Sequence, residues 1–578
     1  MKKLSSVSVL FIALSFIFIL SSCNNIETQN NAISELHEDT FCINPKSEIV
    51  LGEKYENPFI LSTIQSRSLT GEQIEANYFY FKCRTTDNEK TNWLNEKFGF
   101  LSIIPLDREI IQGGCFYDDG ESTENGQWYY LICEKEKFDE VVAQNIEVQI
   151  IEEMYLDEED LSLLRCENLE IPEDTYLEVD FENSSRGIFS SIKKFIKKYI
   201  ANKPSGKVSV YDTTTNSYVG VKGIKVISNQ LGIIGTDTTN SSGKFSISVP
   251  YSSLAYKVQM ALRFENSDVV LNTTSNASAL TGAITYYVAS HWIEGLSNIN
   301  YKLEKDTQYA RYATVLNAVW DYNTWCSENS ITHPSFLNIL VTDKLDGACT
   351  PLCHYAAADL ETALIDTVTL ALGLPLGVLT TALSPDIIIG RKNALNDDFT
   401  EVLYSLTFHE LSHASHFFGL EFNARNVWLR EYGDMISGWL KTISKGGDPF
   451  NNAYTDGGTD LIKLIESWGY FSENFIMAWK TGNDDYTKKL EDRKLDDNSI
   501  SKKYFYYGGF FDLIDEGKEI VNGIVIDYCS NFTYKNLFDA LISANVDDLY
   551  SFAINLTNIT TTQDELENVI LTLENNHD

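Results

Sequence analysis

Two histidines four positions apart, with a glutamate directly after the first, are the residues in this chain best suited to chemistry. They lie in Phe408-His409-Glu410-Leu411-Ser412-His413, which reads H-E-x-x-H. On a helix, positions i and i+4 share a face, so both imidazoles can bind one metal ion. Zinc suits two neutral imidazoles and a carboxylate, with one position left for water. Such a water has a pKa of about 7, and the adjacent glutamate can accept its proton, as peptide-bond hydrolysis requires.

The residues around the motif predict the helix that this chemistry needs. Asp398-Phe399-Thr400-Glu401 is typical of a helix N-terminus, with a capping side chain and a glutamate three residues later. Gly419 is suited to end the helix. Residues at helical spacing between these ends are Val402, Leu406, His409, His413 and Phe417. The motif is therefore expected to lie mid-helix and to face inward; the alternative is a buried helix with two hydrogen-bonded histidines.

Two histidines and a water leave one protein ligand to be found. A second predicted helix contains Glu466 among apolar neighbours, in Glu466-Ser467-Trp468-Gly469-Tyr470. A buried carboxylate without a partner is costly, and a metal ion removes that cost. Glu473 lies two turns further along and can share the face. We rank Glu466 first and Glu473 second, and we expect His416 to be a surface or hydrogen-bonded histidine.

Composition excludes some functions and bounds the architecture. The chain has 578 residues, of which 43% are hydrophobic and 12% aromatic, enough for cores in about three or four domains. The net charge of −37 and the sequence pI of about 4.5 argue against a nucleic-acid partner.

The N-terminus is typical of an exported protein. A short positive region, Met1-Lys2-Lys3, precedes the apolar Val7–Leu20, which is short for a membrane span. The segment ends in Leu20-Ser21-Ser22-Cys23, which resembles the lipobox of bacterial lipoproteins. The resemblance implies a signal peptide at 1–22, a lipidated Cys23, a tether at 23–44 and a cell-envelope location at the outer membrane. An ordinary cleaved signal is the alternative.

Patterning predicts two further parts before the β-rich segment. Residues 45–182 mix polar turns with aromatic strand candidates at 78–81 and 128–132, which favours an α+β accessory domain. Residues 183–203 predict an amphipathic linker helix with lysines on one face.

Residues 204–275 alternate like the short strands of a small β-sandwich. Within them, the segment from Thr236 to Phe245 resembles a turn of carboxypeptidase-regulatory-like, transthyretin-type domains. Such domains are usually spacers or docking modules, and the resemblance implies that role here.

Residues 276–578 are expected to form a mainly helical α+β domain. A long amphipathic helix near 309–320, strands at 336–342 and 386–389, and then the motif helix follow the order found in zincin metallopeptidases. Residues 277–480 resemble a zincin of the gluzincin type. The resemblance implies Zn²⁺ bound by His409, His413 and a later glutamate, Glu410 as the catalytic base, and a protein or peptide substrate. A metzincin would have a histidine where Gly419 stands, so that subfamily is disfavoured.

Several alternatives stay open. In zincins an edge strand pairs with extended substrate; Phe336–Thr342 is our candidate, with a central strand as the other interpretation. Cys349 and Cys353 are expected to form a local disulfide or to be free thiols. A surface binding or adhesion lipoprotein with a degenerate zincin domain is the rival function, although Glu410 beside both histidines argues against degeneracy. A structural lipoprotein with an accidental motif is a third.

Overall fold

The computed structural model describes most of the chain between Thr40 and Glu574. The described residues are 40–42, 48–55, 57–67, 73–121, 126–158, 201–252, 257–273, 283–305, 307–345, 347–356, 358–372, 384–390, 399–444, 460–491, 507–515, 520–521, 524–525, 529, 532–560 and 566–574. The predicted signal peptide, Cys23 and residues 183–200 of the predicted linker helix lie outside them. Among the helices within these ranges, none has the length and hydropathy to cross a membrane.

The N-terminal region, residues 48–158, mixes strands and helices, as its aromatic runs and polar turns predicted. After the short strand β1 (Thr40–Cys42), its elements are β2 (Val50–Lys54), α1 (Leu61–Arg67), β3 (Tyr78–Arg84), α2 (Asn88–Phe98), β4 (Arg108–Gln112), β5 (Tyr129–Glu134), α3 (Lys135–Ala143) and β6 (Glu147–Met154). β3 pairs antiparallel with β5 and β6, and β2 pairs with β4. The two predicted aromatic strands are confirmed as β3 and β5. Five consecutive residues of β3 are buried, because this central strand is covered on both faces.

In the β-rich region, residues 201–303, most of the described elements are short strands. They are β7 (Ala201–Asn202), β8 (Ser205–Asp212), β9 (Ser217–Gly220), β10 (Lys225–Gln230), β11 (Ile233–Thr238), β12 (Lys244–Ser246), β13 (Tyr251–Ser252), β14 (Val258–Arg263), β15 (Val269–Thr273), β16 (Thr285–His291) and β17 (Ile299–Leu303). One sheet contains β17, β8 and β12 in that order, with β9 also paired to β8. The other has the order β11-β10-β14-β16. Buried side chains from both sheets, such as Val208 and Met260, belong to one core.

Strand pairing crosses the domain boundary predicted at 275 in both directions. β16 pairs with β14, and β17 pairs in parallel with β8, so the two sheets extend to Leu303. β15 lies before the boundary, yet it pairs in parallel with a strand of the motif region that follows. Long-range pairing of this kind leaves no trace in local alternation, which is why periodicity placed the limit at a position that strand pairing crosses. The end of the predicted linker also differs, because Ala201–Asn202 forms a strand with β13.

The motif region, residues 307–574, is mainly helical around a small sheet. Its elements are α4 (Gln308–Glu328), β18 (Leu337–Thr342), β19 (Ala348–Cys349), α5 (Ala358–Ala371), β20 (Ile387–Gly390), α6 (Phe399–Gly419), α7 (Phe422–Ser444), α8 (Asp460–Thr481), α9 (Asp485–Glu491), α10 (Tyr507–Asp512), β21 (Ile520–Val521), β22 (Ile524–Val525), α11 (Tyr534–Leu541), α12 (Leu549–Thr560) and α13 (Leu566–Glu574). The sheet has the order β15-β18-β20-β19. This agrees with the predicted α+β character.

The prediction that Phe336–Thr342 forms an edge strand is wrong, and the alternative, a central strand, is correct. β18 lies between β15 and β20 and is parallel to both. Its residues are almost all buried, as expected for a parallel strand covered on both faces. The edge is formed instead by β19, which runs antiparallel to β20 through Ala348↔Ile389 and Cys349↔Ile388. β19 therefore takes the position next to the motif that Phe336–Thr342 was expected to occupy.

The motif helix α6 has the predicted limits, and neighbouring segments contribute to both ends. Thr213 of the β-rich region and Thr400 in the first turn bond reciprocally: each backbone N–H donates to the other's hydroxyl, at 3.0 and 3.1 Å. One otherwise unpaired N–H of the helix start is thereby satisfied. At the other end, a Cβ on Gly419 would lie 2.7 Å from Ile542, so glycine permits close packing there. Nearly all of α6 between these ends is buried, which makes it the central helix of the region.

Candidate metal centre

The two histidines of the motif lie side by side on one buried face of α6. His409 is 8% exposed and His413 is fully buried. Their Nε2 atoms are 3.0 Å apart, so both rings point at the same small volume. Burial lowers the pKa of His413 to about 3, which keeps its imidazole neutral and able to bind a metal ion.

Glu466 completes a group of three ligand atoms, from the helix α8 that packs against α6. Its Oε2 lies 3.6 Å from His409 Nε2, and its Oε1 lies 3.8 Å from His413 Nε2. The ligand atoms of the three side chains all lie within 4.8 Å of one another. Burial acts to raise the pKa of Glu466, but the two imidazoles and the Tyr432 hydroxyl outweigh it, so the net pKa is below the usual value. The carboxylate is therefore charged and ready to bind a cation.

Glu473, the second candidate, contacts the other side of His409. Its Oε2 accepts a hydrogen bond from His409 Nδ1 at 3.1 Å, and its Oε1 accepts one from the Ser405 hydroxyl. A carboxylate on Nδ1 fixes the orientation of the ring and directs Nε2 to the site. The structure thus separates the two candidates by role: Glu466 faces the shared volume, and Glu473 holds a histidine that borders it.

A glycine on α8 makes room for both imidazoles. A Cβ on Gly469 would lie 2.6 Å from His413 Cε1 and 2.8 Å from His409 Cε1, closer than side chains tolerate. Only a residue without a side chain lets the backbone of α8 approach the rings and bring Glu466 to them. Two imidazoles and a carboxylate in this arrangement match the ligands that zinc prefers, so the residues fit the metal that the motif predicted.

Glu410 is not part of the group of three ligand atoms and has a hydrogen bond of its own. It is 4% exposed, and its Oε2 accepts a hydrogen bond from the Thr350 hydroxyl at 2.7 Å. Burial raises its pKa to about 7. A carboxylate that changes protonation near neutral pH can both take up and release a proton, which is the property a general base needs.

A cavity of about 210 Å³ opens onto these groups. Gly347, Ala348 and Cys349 at the edge of the sheet contribute to its lining, together with residues of α6, α7 and α8. The remaining lining residues are Leu406, His409, Glu410, Tyr432, Met435, Ile436, Glu466, Tyr470 and Glu473. His409, Glu410 and Glu466 are thus accessible from one space, which is bordered by a strand edge.

Comparisons with known proteins add nothing to this geometry. No protein-family model, no curated protein and no solved structure matched the chain. Conclusions about function therefore rest on the side chains and on their positions.

Several site residues had no signal in the sequence analysis. Thr350 reaches Glu410 across 60 positions of the chain, which only the fold could bring together. Tyr432 donates from its hydroxyl to Glu466 Oε1 at 3.1 Å, and its four-residue spacing from Trp428 on α7 could have indicated a buried aromatic face. The Tyr470 ring lies against the His409 ring, with centroids 4.7 Å apart.

The remaining polar candidates lie outside the ligand group. His416 is buried and accepts a hydrogen bond from Trp428 Nε1 at 3.4 Å, in agreement with a hydrogen-bonded role. Cys349 and Cys353 are free thiols, so the local disulfide is not formed.

A second cavity, of about 270 Å³, lies between the N-terminal and β-rich regions and has mostly apolar walls. Within the described ranges, the only His, Cys, Asp and Glu group with metal-binding geometry is the one around His409.

Proposed function

We propose that this chain is a zinc metallopeptidase that hydrolyses peptide bonds in protein or glycoprotein substrates outside the cytoplasm. The observation that carries the proposal is the convergence of His409, His413 and Glu466 on one volume, with Glu410 beside them in the same cavity. These are the side chains that a zinc-dependent hydrolysis needs, and no other described group in the chain combines them.

His409, His413 and Glu466 would hold the metal, and second partners hold two of these ligands in place. Glu473 orients His409 through Nδ1, and Tyr432 orients the Glu466 carboxylate. Bound zinc would supply Lewis acidity, which polarises a carbonyl oxygen and makes a water molecule easier to deprotonate.

Glu410 is the proton carrier in this proposal. It accepts a proton from the water that attacks the scissile carbonyl carbon, where a C–O bond forms. It then donates the proton to the amide nitrogen as the C–N bond breaks, so the products are a carboxylate and an amine. β19 borders the same cavity, no described strand pairs with its outer edge, and that edge can pair through its backbone with an extended peptide. Substrate would then lie between the strand edge and the two helices.

Purified residues 24–578 test the metal site first. We expect one zinc per chain by elemental mass spectrometry, lost in His409→Ala and His413→Ala and weakened in Glu466→Ala. Glu473→Ala should weaken zinc binding less, by about 10- to 100-fold, because it removes only a partner of a ligand. The exposed His354 offers a matched control, and His354→Ala should keep full occupancy. Zinc that survives both motif histidine changes would exclude this site.

The second arm tests the chemistry with Glu410→Gln, which keeps the shape and removes the base. The variant should retain zinc and lose about 10²–10⁴-fold of kcat on unfolded proteins, secreted glycoproteins and a peptide library followed by mass spectrometry. Glu421→Gln, at an exposed position just after α6, is the control for the same substitution. A zinc-loaded wild type that cleaves none of these substrates would favour the rival function, a surface binding lipoprotein with a degenerate zincin domain.

We also propose that the protein is lipid-anchored in the cell envelope through Cys23. The support is the segment Leu20-Ser21-Ser22-Cys23 after an apolar run. Cys23→Ala should release the protein from membranes or block its processing. Unchanged membrane fractionation, with no lipid on the wild type by mass spectrometry, would contradict the anchor.

A further inference from the structure

Thr350 is the described residue that hydrogen-bonds the Glu410 side chain. Its hydroxyl lies 2.7 Å from Glu410 Oε2 and 3.0 Å from the backbone carbonyl oxygen of the same residue. Thr350 is fully buried, so water does not compete for these contacts. The hydroxyl has one proton to donate, and the shorter distance and the charge favour the carboxylate as its acceptor.

The position of this hydroxyl is set by the sheet and not by the helix that carries the base. Thr350 directly follows β19, whose Cys349 pairs with Ile388 of β20. Two residues later, the Leu352 N–H donates to the Asp386 carbonyl at 3.0 Å. Thr350 is therefore held on both sides by backbone pairing, and its hydroxyl is a fixed point against which the Glu410 side chain is placed.

We propose that Thr350 is a positioning residue that holds the Glu410 carboxylate in the orientation needed for proton transfer. This inference rests on the proposed peptidase function. A glutamate side chain turns about three single bonds, whereas a general base must stay within hydrogen-bond reach of the proton it takes. A hydrogen bond to Oε2 removes that freedom and leaves the lone pairs of Oε1 for the transfer.

The same contact also ties the base to the strand edge where a peptide would pair. Ala348 and Cys349, the two residues of β19, border the cavity, and Thr350 follows them directly. A substrate paired with β19 and a base held by Thr350 thus share one rigid support. Positioning a reacting group in this way lowers the barrier of the chemical step rather than strengthening substrate binding.

A purely structural role predicts a different outcome. If Thr350 only filled space and satisfied a buried oxygen, its loss would lower stability without a selective effect on turnover. Thr350→Val keeps the volume and removes the hydroxyl, and Thr350→Ser keeps the hydroxyl. Thr407→Val is the matched control, because Thr407 is fully buried on α6 and its hydroxyl has no hydrogen-bond partner among the described residues.

The first measurement compares kcat and KM on the library peptide that the wild type cleaves fastest, with zinc content measured in parallel. We expect Thr350→Val to lower kcat by about 10- to 100-fold, the effect of one hydrogen bond to a charged group, with KM and zinc content unchanged. Thr350→Ser should recover most of the loss, and Thr407→Val should match the wild type. Thr350→Ala serves as a second hydroxyl-free variant if Thr350→Val does not fold.

The second measurement needs no activity. Thermal unfolding of the metal-free protein is compared for Thr350→Val, Glu410→Ala and the double variant. If the hydroxyl acts on the carboxylate, the shift in Tm caused by Thr350→Val is smaller in the Glu410→Ala background, where only the backbone carbonyl oxygen at 3.0 Å remains as an acceptor. An equal shift in Tm in both backgrounds would show that the Thr350 hydroxyl does not act on the Glu410 carboxylate, and would overturn the proposal.

The outcomes separate this inference from the function on which it rests. Wild-type cleavage that is lost in Glu410→Gln but undiminished in Thr350→Val would overturn the role of Thr350 and leave the peptidase in place. If Thr350→Val instead lost zinc, or raised KM alone, the proposed role of Thr350 would also be overturned, since the residue would then act on the fold or on substrate binding. A wild type that cleaves nothing would overturn both.

Discussion

The β-rich region has two neighbours, and it contacts them in different ways. Towards the motif region its buried side chains belong to one continuous core with α4, α6 and α8, and strand β15 is part of the motif region's own sheet. Towards the N-terminal region the contact is an apolar face of one sheet, where Ile227, Ala261 and Tyr287 join a separate core. The β-rich region therefore forms one structural unit with the region that contains the candidate metal centre, whereas a spacer would have independent cores on both sides.

The polar contacts of the β-rich region also differ between its two neighbours. On the side of the motif region, Asp321 of α4 accepts from Lys222 of the β-rich region, from Lys480 of α8 at 2.6 Å and from the Tyr404 hydroxyl of α6 at 3.1 Å. One carboxylate thus joins the β-rich region to three helices, two of which carry the candidate metal ligands. On the other side, the bonds run mainly to backbone groups of the N-terminal region, such as the Gln259 amide donating to two carbonyl oxygens.

The largest effect is expected from Asp321→Ala. The change leaves two ammonium groups and a buried hydroxyl without their common acceptor. Removing one partner of a largely buried charge network costs about 3 kcal/mol of unfolding free energy. Because α6 and α8 lose a shared contact, we also expect weaker zinc binding, measured by titration with a zinc-specific chelator. Asp485→Ala, which removes an exposed acid paired with Lys488 on the helix surface, is the control and should change neither quantity. Equal effects of the two changes would contradict the conclusion that Asp321 joins the β-rich region to the helices around the candidate metal centre.

Local signals predicted the motif helix and the side chains that the structure brings together beside it. The limits of α6 could be inferred because a capping pattern, helical periodicity and a glycine agreed within one short segment. Glu466 could be ranked above Glu473 because a carboxylate among apolar residues implies a buried partner, and the structure places it with the histidines.

Long-range pairing explains what could not be predicted. β18 was expected at an edge because nothing in its residues reveals that β15, more than sixty positions earlier, is its neighbour. The same reason applies to Thr350, whose hydroxyl reaches Glu410 only because the fold places β19 beside α6. The spacer role suggested for residues 204–275 is also not what the packing favours, since a resemblance in one turn carries no information about what the other strands contact.

Tyr287→Phe, at the contact with the N-terminal region, should lower stability and leave zinc affinity unchanged. The Tyr287 hydroxyl accepts from the buried Ile103 N–H at 2.9 Å, so Tyr287→Phe leaves that donor unpaired. The expected cost is about 1–2 kcal/mol of unfolding free energy. Zinc affinity should stay at the wild-type value, in contrast to Asp321→Ala. Tyr550→Phe, at an exposed tyrosine, controls for the loss of a hydroxyl. If zinc affinity fell with Tyr287→Phe as much as with Asp321→Ala, the two contacts would not differ in kind.

The smallest effect concerns the cap that the β-rich region provides for the motif helix. Thr213→Val keeps the branched shape and removes the hydroxyl that accepts from the Thr400 N–H at 3.1 Å. Loss of a helix cap costs about 1 kcal/mol, and here it should be confined to the first turn of α6, because the metal ligands lie further along the helix. We expect faster amide hydrogen exchange in a peptide that covers 399–404, a slightly lower Tm and unchanged zinc stoichiometry. Thr213→Ser should restore protection, and Thr215→Val in the neighbouring exposed turn should leave exchange as it is. Unchanged exchange in Thr213→Val would mean that the helix start does not depend on the β-rich region, and the case for one structural unit around the candidate metal centre would then rest on Asp321 and the shared core alone.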